Sequence, residues 1–289
     1  MAAGTMIASA IAFWAAAFVL NLWLVRLRLK RPGAKLAVAL LVPALFGLAI
    51  LALWEGLVRG FEVPFVLLPP PSAIWAKITS ELPTLWLDFR STYLQSVLAG
   101  YAMGCGAGFL IAIAADRSPF FKAGIMPIGN LMSALPIIGM APIMVMWFGF
   151  GWQSKAAVVL VMTFFPMLVN TVAGLNAAGR MERDLMQTYG SSYWQTLVKL
   201  RLPAAMPFIF NALKINSTLA LIGAIVAEFF GTPIYGMGFR ISVEVGRLNI
   251  DMVWATIFVA ALAGSLSYGL LALLERSVTF WHPSQRRVR

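Results

Sequence analysis

The sequence predicts an all-α polytopic membrane protein, and three observations carry that prediction. First, 61% of the 289 residues are hydrophobic and only 11% are charged, whereas about a quarter of a soluble domain is charged. Mean hydropathy is +0.84. Second, apolar runs of about 20 residues recur along the chain, each long enough to cross the hydrocarbon core as a helix. Third, only helices or closed barrels satisfy the backbone in lipid, and continuous apolar runs of this length are those of helices. The net charge of +11 reads as positive cytoplasmic loops and not as a nucleic-acid surface.

Seven spans are expected, at about 5–24, 36–58, 93–115, 124–148, 155–175, 207–230 and 252–274. The first resembles a signal peptide in length. Its basic cluster follows the apolar run instead of preceding it, which favours an uncleaved span. With the N-terminus outside, the inner segments hold fifteen of the 22 Lys and Arg and the outer segments six, with Lys214 inside a span. That bias gives an N-out, C-in, multi-pass chain.

Between the spans, the order is informative. The outer loop 59–91 contains LLPPPSAIWAKI, which restarts as a short interfacial helix with Ser72 as N-cap and Trp75 at headgroup level. Span three sets Gly100, Gly104 and Gly108 on one face for close helix approach. Cys105 lies among them as a packing residue, and a single cysteine excludes an internal disulfide. Pro127, Pro136 and Pro142 in span four and Pro166 in span five each remove a helix hydrogen bond. Helices broken to line a pathway and helices kinked for packing both account for them. The outer stretch 231–251 is glycine-rich and expected to be irregular.

Covalent chemistry is missing from the inventory. There is no G-x-x-x-x-G-K-[ST], no C-x-x-C, and one histidine (His282, read as interfacial) rules out H-E-x-x-H. No cofactor and no metal site is expected in this chain. The acids near membrane depth are Glu55 and Glu228, at the outer ends of their spans. Lys214 lies near the inner end of span six, about 21 Å from Glu228 along the helix, where it can snorkel. Glu228 is either a functional acid or a hydrogen-bonding structural one. Asn130, Ser133, Met140 and Met144 on span four, with Asn216, Ser217 and Thr218 on span six, are candidates to line a path. Interhelical hydrogen bonds explain the polar ones as well, since buried polar groups need partners.

One segment breaks the apolar pattern: GRMERDLMQTYGSSYWQTLVKLRLPAAMP, residues 179–207. Residues 181–189 suit a helix, Gly190 marks a break, and Ser192 with Gln195 fits a capping box that starts a second helix. Tyr193, Leu197 and Leu200 share one face. Leu202–Pro203 is expected to end the unit. Helices this short are marginal alone, so the pair needs a surface to lie on: its own membrane domain, the bilayer or a partner.

Here the chain resembles the permease subunits of bacterial binding-protein-dependent ABC importers. Their cytoplasmic signature E-A-A-x-x-x-G-x9-I-x-L-P is matched in spacing by Asp184, Leu185, Met186, Gly190, Leu200, Leu202 and Pro203, with D-L-M in place of E-A-A. LWEGLVR at 53–59, LLPPPSAIWAKI at 67–78, PIMVMWFGFGWQSK at 142–155, FFPMLVNTVAGL at 164–175 and IVAEFFGTPIYGMGF at 225–239 are similar to the nitrate/sulfonate/taurine-type members, which include importers of thiamine precursors and other heterocycles.

The resemblance implies a bacterial inner-membrane permease with a six-span core at 36–289 and an added first helix with its basic linker at 1–35. It implies that residues 179–206 are a coupling loop docking on a separate cytoplasmic ATPase, which uses ATP and Mg. Tyr193, Trp194 and Leu197 would be anchors, with Lys199 and Arg201 as a polar rim. It further implies a second permease copy, an extracytoplasmic solute-binding protein, and a solute that is either a small anion (sulfonate, nitrate, taurine) or a pyrimidine-like heterocycle. A secondary transporter driven by an ion gradient is the alternative. It predicts an intramembrane charge network and internal repeats and leaves the 179–206 loop without a role. A membrane-embedded enzyme would need a nucleophile or paired acids at one depth.

Overall fold

The protein is described here from a computed structural model, covering residues 2–27, 32–133, 136–231 and 234–281. Among these residues all regular structure is helical. In chain order the helices are α1 (Ala2–Arg26), α2 (Pro32–Gly60), α3 (Pro71–Ser80), α4 (Leu82–Arg117), α5 (Pro119–Ser133), α6 (Ile137–Phe148), α7 (Trp152–Leu175), α8 (Arg180–Thr188), α9 (Tyr193–Glu228), α10 (Met237–Gly246) and α11 (Ile250–Val278). His282 and the C-terminal arginines lie outside the described residues.

Six helices (α1, α2, α4, α7, α9 and α11) are long and apolar enough to cross a membrane. The expected span at 124–148 is instead a pair. At 15 and 12 residues, α5 and α6 reach about 22 and 18 Å, short of the roughly 30 Å core. Pro136 heads α6 in extended conformation, φ −70° and ψ 113°. Lacking an N–H, it cannot extend the ladder of α5. Pro43, Pro142, Pro166 and Pro207, by contrast, are carried inside helices.

The chain separates into two compact units, Met1–Leu82 with Val243–Ala255, and Pro83–Ser242 with Thr256–Arg289. In the first, α1 and α2 pack antiparallel, with Gly56 against Ala10. Ser72 is not the N-cap of α3: the cap position is Pro70. Ser72 gives its backbone N–H and hydroxyl to Glu55 at 2.9 and 2.7 Å and accepts a bond from Arg59, so Glu55 ties the proline run back to α2. Lys77 pairs with Asp251 at 3.6 Å, and Trp54 meets Trp254 edge-on.

In the second unit the glycine face of α4 lies directly on α7. A Cβ at Gly100 would stand 2.6 Å from the Ala156 carbonyl oxygen, one at Gly104 would be 2.6 Å from that of Leu160, and one at Gly108 would be 2.5 Å from that of Phe164. The numbers rise together, so α4 and α7 are parallel. Only glycine permits this backbone-to-backbone seam. Two parallel neighbours require the intervening chain to return across the same thickness, and α5 with α6 makes that return.

The remaining long helices fall into the same frame. Asn216 of α9 reaches Cys105 and Thr163, Arg201 at its start reaches the last residues of α4 and α7, and Glu228 at its end reaches Thr92 near the start of α4. Hence α9 is antiparallel to both. α11 runs opposite to α9, with Lys214 on Glu275 and Leu221 on Gly264. The apolar core between them holds Val97, Val159, Ala220, Leu221, Ala224 and Ala260.

Candidate functional site

The mixed segment 179–203 folds as two helices around a glycine hinge. α8 runs Arg180–Thr188, and Tyr189 is its C-cap. Gly190 then takes φ +66°, the left-handed conformation that L side chains rarely adopt. Ser191 N–H donates back to the Met186 carbonyl at 3.0 Å, so the turn closes on the end of α8. The capping box is present: the Ser192 hydroxyl accepts from Gln195 N–H, and the Gln195 side chain accepts from Ser192 N–H at 2.8 Å.

α9 starts there and does not stop at Leu202–Pro203. A π-turn at Leu197–Arg201 carries the helix through the proline, which sits at the first positions of the following α segment, where a missing N–H matters least. The expected break is therefore absent. The short capped helix and span six form one continuous rod.

The face of this segment divides in two. Leu197 is buried in the cluster of Cys105, Met167, Leu175 and Ala205. Tyr193 is half-buried, its hydroxyl donating to Asp116 at 2.8 Å, with Arg117 over its ring. Arg201 forms a bidentate pair with Asp116 at 2.6 and 2.7 Å and donates from Nε to the Leu175 carbonyl at 3.0 Å. In this chain Tyr193 and Leu197 thus anchor the segment to its own bundle, and Arg201 is a brace instead of a rim residue. Leu200, Leu202 and Pro203 are half-buried, while Asp184 and Lys199 are exposed.

The opposite face is uncovered. Met181 is 80% exposed, Leu185 54%, Tyr189 78% and Trp194 61%. The first three follow at intervals of four along α8 and its C-cap, one stripe of a helix, and α8 buries none of its residues.

The polar positions at membrane depth are mostly committed within the bundle. Asn216 is fully buried and donates to the Thr163 carbonyl at 2.8 Å. Ser217 and Thr218 bond carbonyls of their own helix, Lys214 and Ile215. Met144 is buried and Met140 half-buried, both against Ala141, Val158 and Ala227. The side chains of Asn130 and Ser133 lie outside the described residues. Lys214 does not snorkel: it pairs with Glu275 at 2.6 Å.

Glu228 is buried and satisfied. It accepts from the Thr92 hydroxyl at 2.7 Å and from Gly238 N–H at 2.6 Å. Beside it, Asp88 accepts from Gly236 N–H and from Arg240. Together these acids clip the glycine-rich stretch after α9 onto the first turns of α4. Part of that stretch, expected to be irregular, is the helix α10.

Sequence reading overlooked Asp88, Asp116 and Glu275. Each is an acid in or at the end of an apolar helix, and burying a charge requires a partner. That signal was present, though the identity of the partner was not.

Residues 104–280 match the family described as binding-protein-dependent transport system inner membrane component. The formylaminopyrimidine transport permease ThiX of Halalkalibacterium halodurans is 30% identical over 85% of this chain and 97% of its own. The aliphatic sulfonates permease SsuC of Bacillus subtilis, a putative assignment in its own name, is 27% identical over 88% and 92%. The taurine permease TauC of Escherichia coli is 29% identical over 74% and 80%. Among solved structures, a chain of the inward-facing MetNI methionine ABC transporter superposes with a TM-score of 0.54 over 71% of this chain and 98% of its own, at 17% identity. An amino acid ABC transporter gives 0.56 over 70% and 97%, at 15% identity. The fold, the family match and the relatives agree: this chain belongs to the binding-protein-dependent ABC importer permeases, the multi-pass membrane subunits that form the path while a separate subunit hydrolyses ATP.

Proposed function

We propose that residues 179–203 are the surface on which the cytoplasmic ATPase seats, and that two copies of this chain enclose the path. The observation that carries the reading is the exposed row Met181, Leu185 and Tyr189, with Trp194 also exposed on the first turn of α9. An exposed apolar row rimmed by Arg180, Arg183 and Lys199 suits a hydrophobic groove with a polar border. A helix lying on lipid would share the stripe. The family role of ATP-driven import, and the match of Gly190, Leu200, Leu202 and Pro203 to the signature, favour docking.

The parallel pair α4 and α7 puts residues 117, 175 and 201 at one level, together with the end of α11. Among the described residues Arg117, Lys122, Arg180, Arg183, Lys199, Arg201 and Arg276 lie in or next to the segments that end there, which supports a cytoplasmic side at that level. The ThiX relative is covered almost completely by 85% of this chain, which supports α1 as an addition to a six-crossing core of α2, α4, α5 with α6, α7, α9 and α11.

The solute is a small flat heterocycle in this reading. Lys155 is buried and donates to the Phe150 carbonyl, and Lys214 is held by Glu275, so neither of these two lysines is free to meet an anion. A sulfonate would call for a free one. The relative named for a formylaminopyrimidine supports the same class.

The test is capture of tagged chain from its native membrane in mild detergent. Retention of a P-loop ATPase in near-equal amount, and its loss on Trp194→Glu, is the expected result. A variant that keeps the ATPase at full stoichiometry defeats the docking surface. Uptake assays with a pyrimidine, riboflavin and taurine then separate heterocycle from anion.

A further inference from the structure

The docking reading leaves open how movement of an exposed loop reaches helices buried in the bundle. The contacts at the base of α9 supply a route. Arg201 occupies the last position of the π-turn, between the capped first turn and the long membrane part of α9. Its guanidinium makes three bonds: two to Asp116 on α4 and one to the Leu175 carbonyl that closes α7. Tyr193, on the other side of the π-turn, bonds the same carboxylate. Both members of the pair are largely out of solvent, the side chains 13% and 5% exposed.

We propose that the Asp116–Arg201 pair is the joint through which displacement of residues 179–201 is transmitted to α4 and α7. Both are positioning residues for transport, a role that rests on the docking reading above. A bidentate charge-assisted pair has two short bonds in a fixed plane and does not stretch. Removing one partner leaves an uncompensated buried charge. A push on α8 or on Trp194 therefore moves Arg201, and Arg201 moves α4 and the end of α7 with it. Leu197, in contact with the same helices through apolar atoms only, can slide where the ion pair cannot.

The experiment uses the complex of this chain with its ATPase in lipid nanodiscs. Amide hydrogen exchange is compared with and without Mg-ATP plus orthovanadate. In the wild type, nucleotide changes exchange in three segments: residues 179–203, the end of α4 around 113–117, and the end of α7 around 171–176. In Asp116→Asn the change within 179–203 persists and the changes in α4 and α7 are lost. The exchanged pair Asp116→Arg with Arg201→Asp restores at least part of them.

A merely structural brace would shift the nucleotide-free pattern and leave the nucleotide-dependent difference intact, and that result overturns the proposal. A wild type in which 179–203 responds and the two helix ends do not overturns it as well. Loss of the ATPase from an inserted Asp116→Asn chain also overturns it, because the pair then shapes the docking surface. If Asp116→Asn fails to insert, Arg201→Lys keeps the charge and removes the fork, and an undiminished response there overturns the joint. Failure of the docking reading looks different: wild-type chain holds no ATPase at all.

Discussion

Gly190 and Gly104 are both glycines by necessity, for opposite reasons. At Gly190 a Cβ would meet nothing within 4 Å, and the constraint is the positive φ. A side chain in that conformation costs about 1–2 kcal/mol. Gly190→Trp should insert normally, as read by membrane immunoblot, yet show weakened capture of the ATPase because α8 is re-aimed. At Gly104 the backbone is ordinary and the space is absent, since a Cβ would fall on the Thr163 hydroxyl and the Leu160 carbonyl. Gly104→Val should destabilise by about 1–3 kcal/mol or more, the range for overpacked cores, and lower the midpoint of thermal unfolding in detergent. Both glycines were legible from the sequence, one through a signature spacing and the other through spacing of four. Arg201 was not. Its partner lies 85 positions away, and neither periodicity nor local propensity records which helices meet. For the same reason Tyr193 and Leu197 read as docking anchors: one apolar face looks the same whether it covers a partner or its own bundle.

Elements were readable where local chemistry decides them. The capping box of Ser192 and Gln195 forms as the residues dictate, and Ser192→Ala should cost about 1 kcal/mol. Its expected signature is faster amide exchange confined to Tyr193–Thr196. The ends of elements were less readable where a long-range bond or an unusual turn decides. Pro203 is an ordinary stop signal, and the π-turn before it cancels the signal by shifting the hydrogen-bond register. Ser72 is an ordinary cap residue, and Glu55 takes it for another purpose. Span four kept its expected thickness of chain but is divided, because Pro136 removes the donor where α5 would have continued.

At the scale of the molecule, hydropathy set class and approximate span number and charge set direction, while which helices touch came from packing. The prediction at this scale concerns sidedness. Cys105 is buried, so the natural chain should resist an impermeant thiol reagent. Phe120 is 91% exposed just beyond the C-terminal end of α4, and Phe61 is 66% exposed just beyond α2. Phe120→Cys should label only when the cytoplasmic side is opened, and Phe61→Cys in intact cells or spheroplasts. The reverse pattern would invert the topology and remove the ATPase from reach of residues 179–203.

The glycine seam between α4 and α7 has a mechanical corollary. Two helices whose main chains come this close over three successive turns, with only Val159, Thr163 and Met167 lodged against the glycines, have little side-chain volume between them to re-pack. One cannot roll or slide past the other without opening a void or a clash, and close-packed interfaces favour discrete arrangements over continuous deformation. The two rods therefore behave as a single stiff beam. Any reorientation of the bundle must be concentrated at its other seams, against α9, α11 and the divided pair α5 and α6.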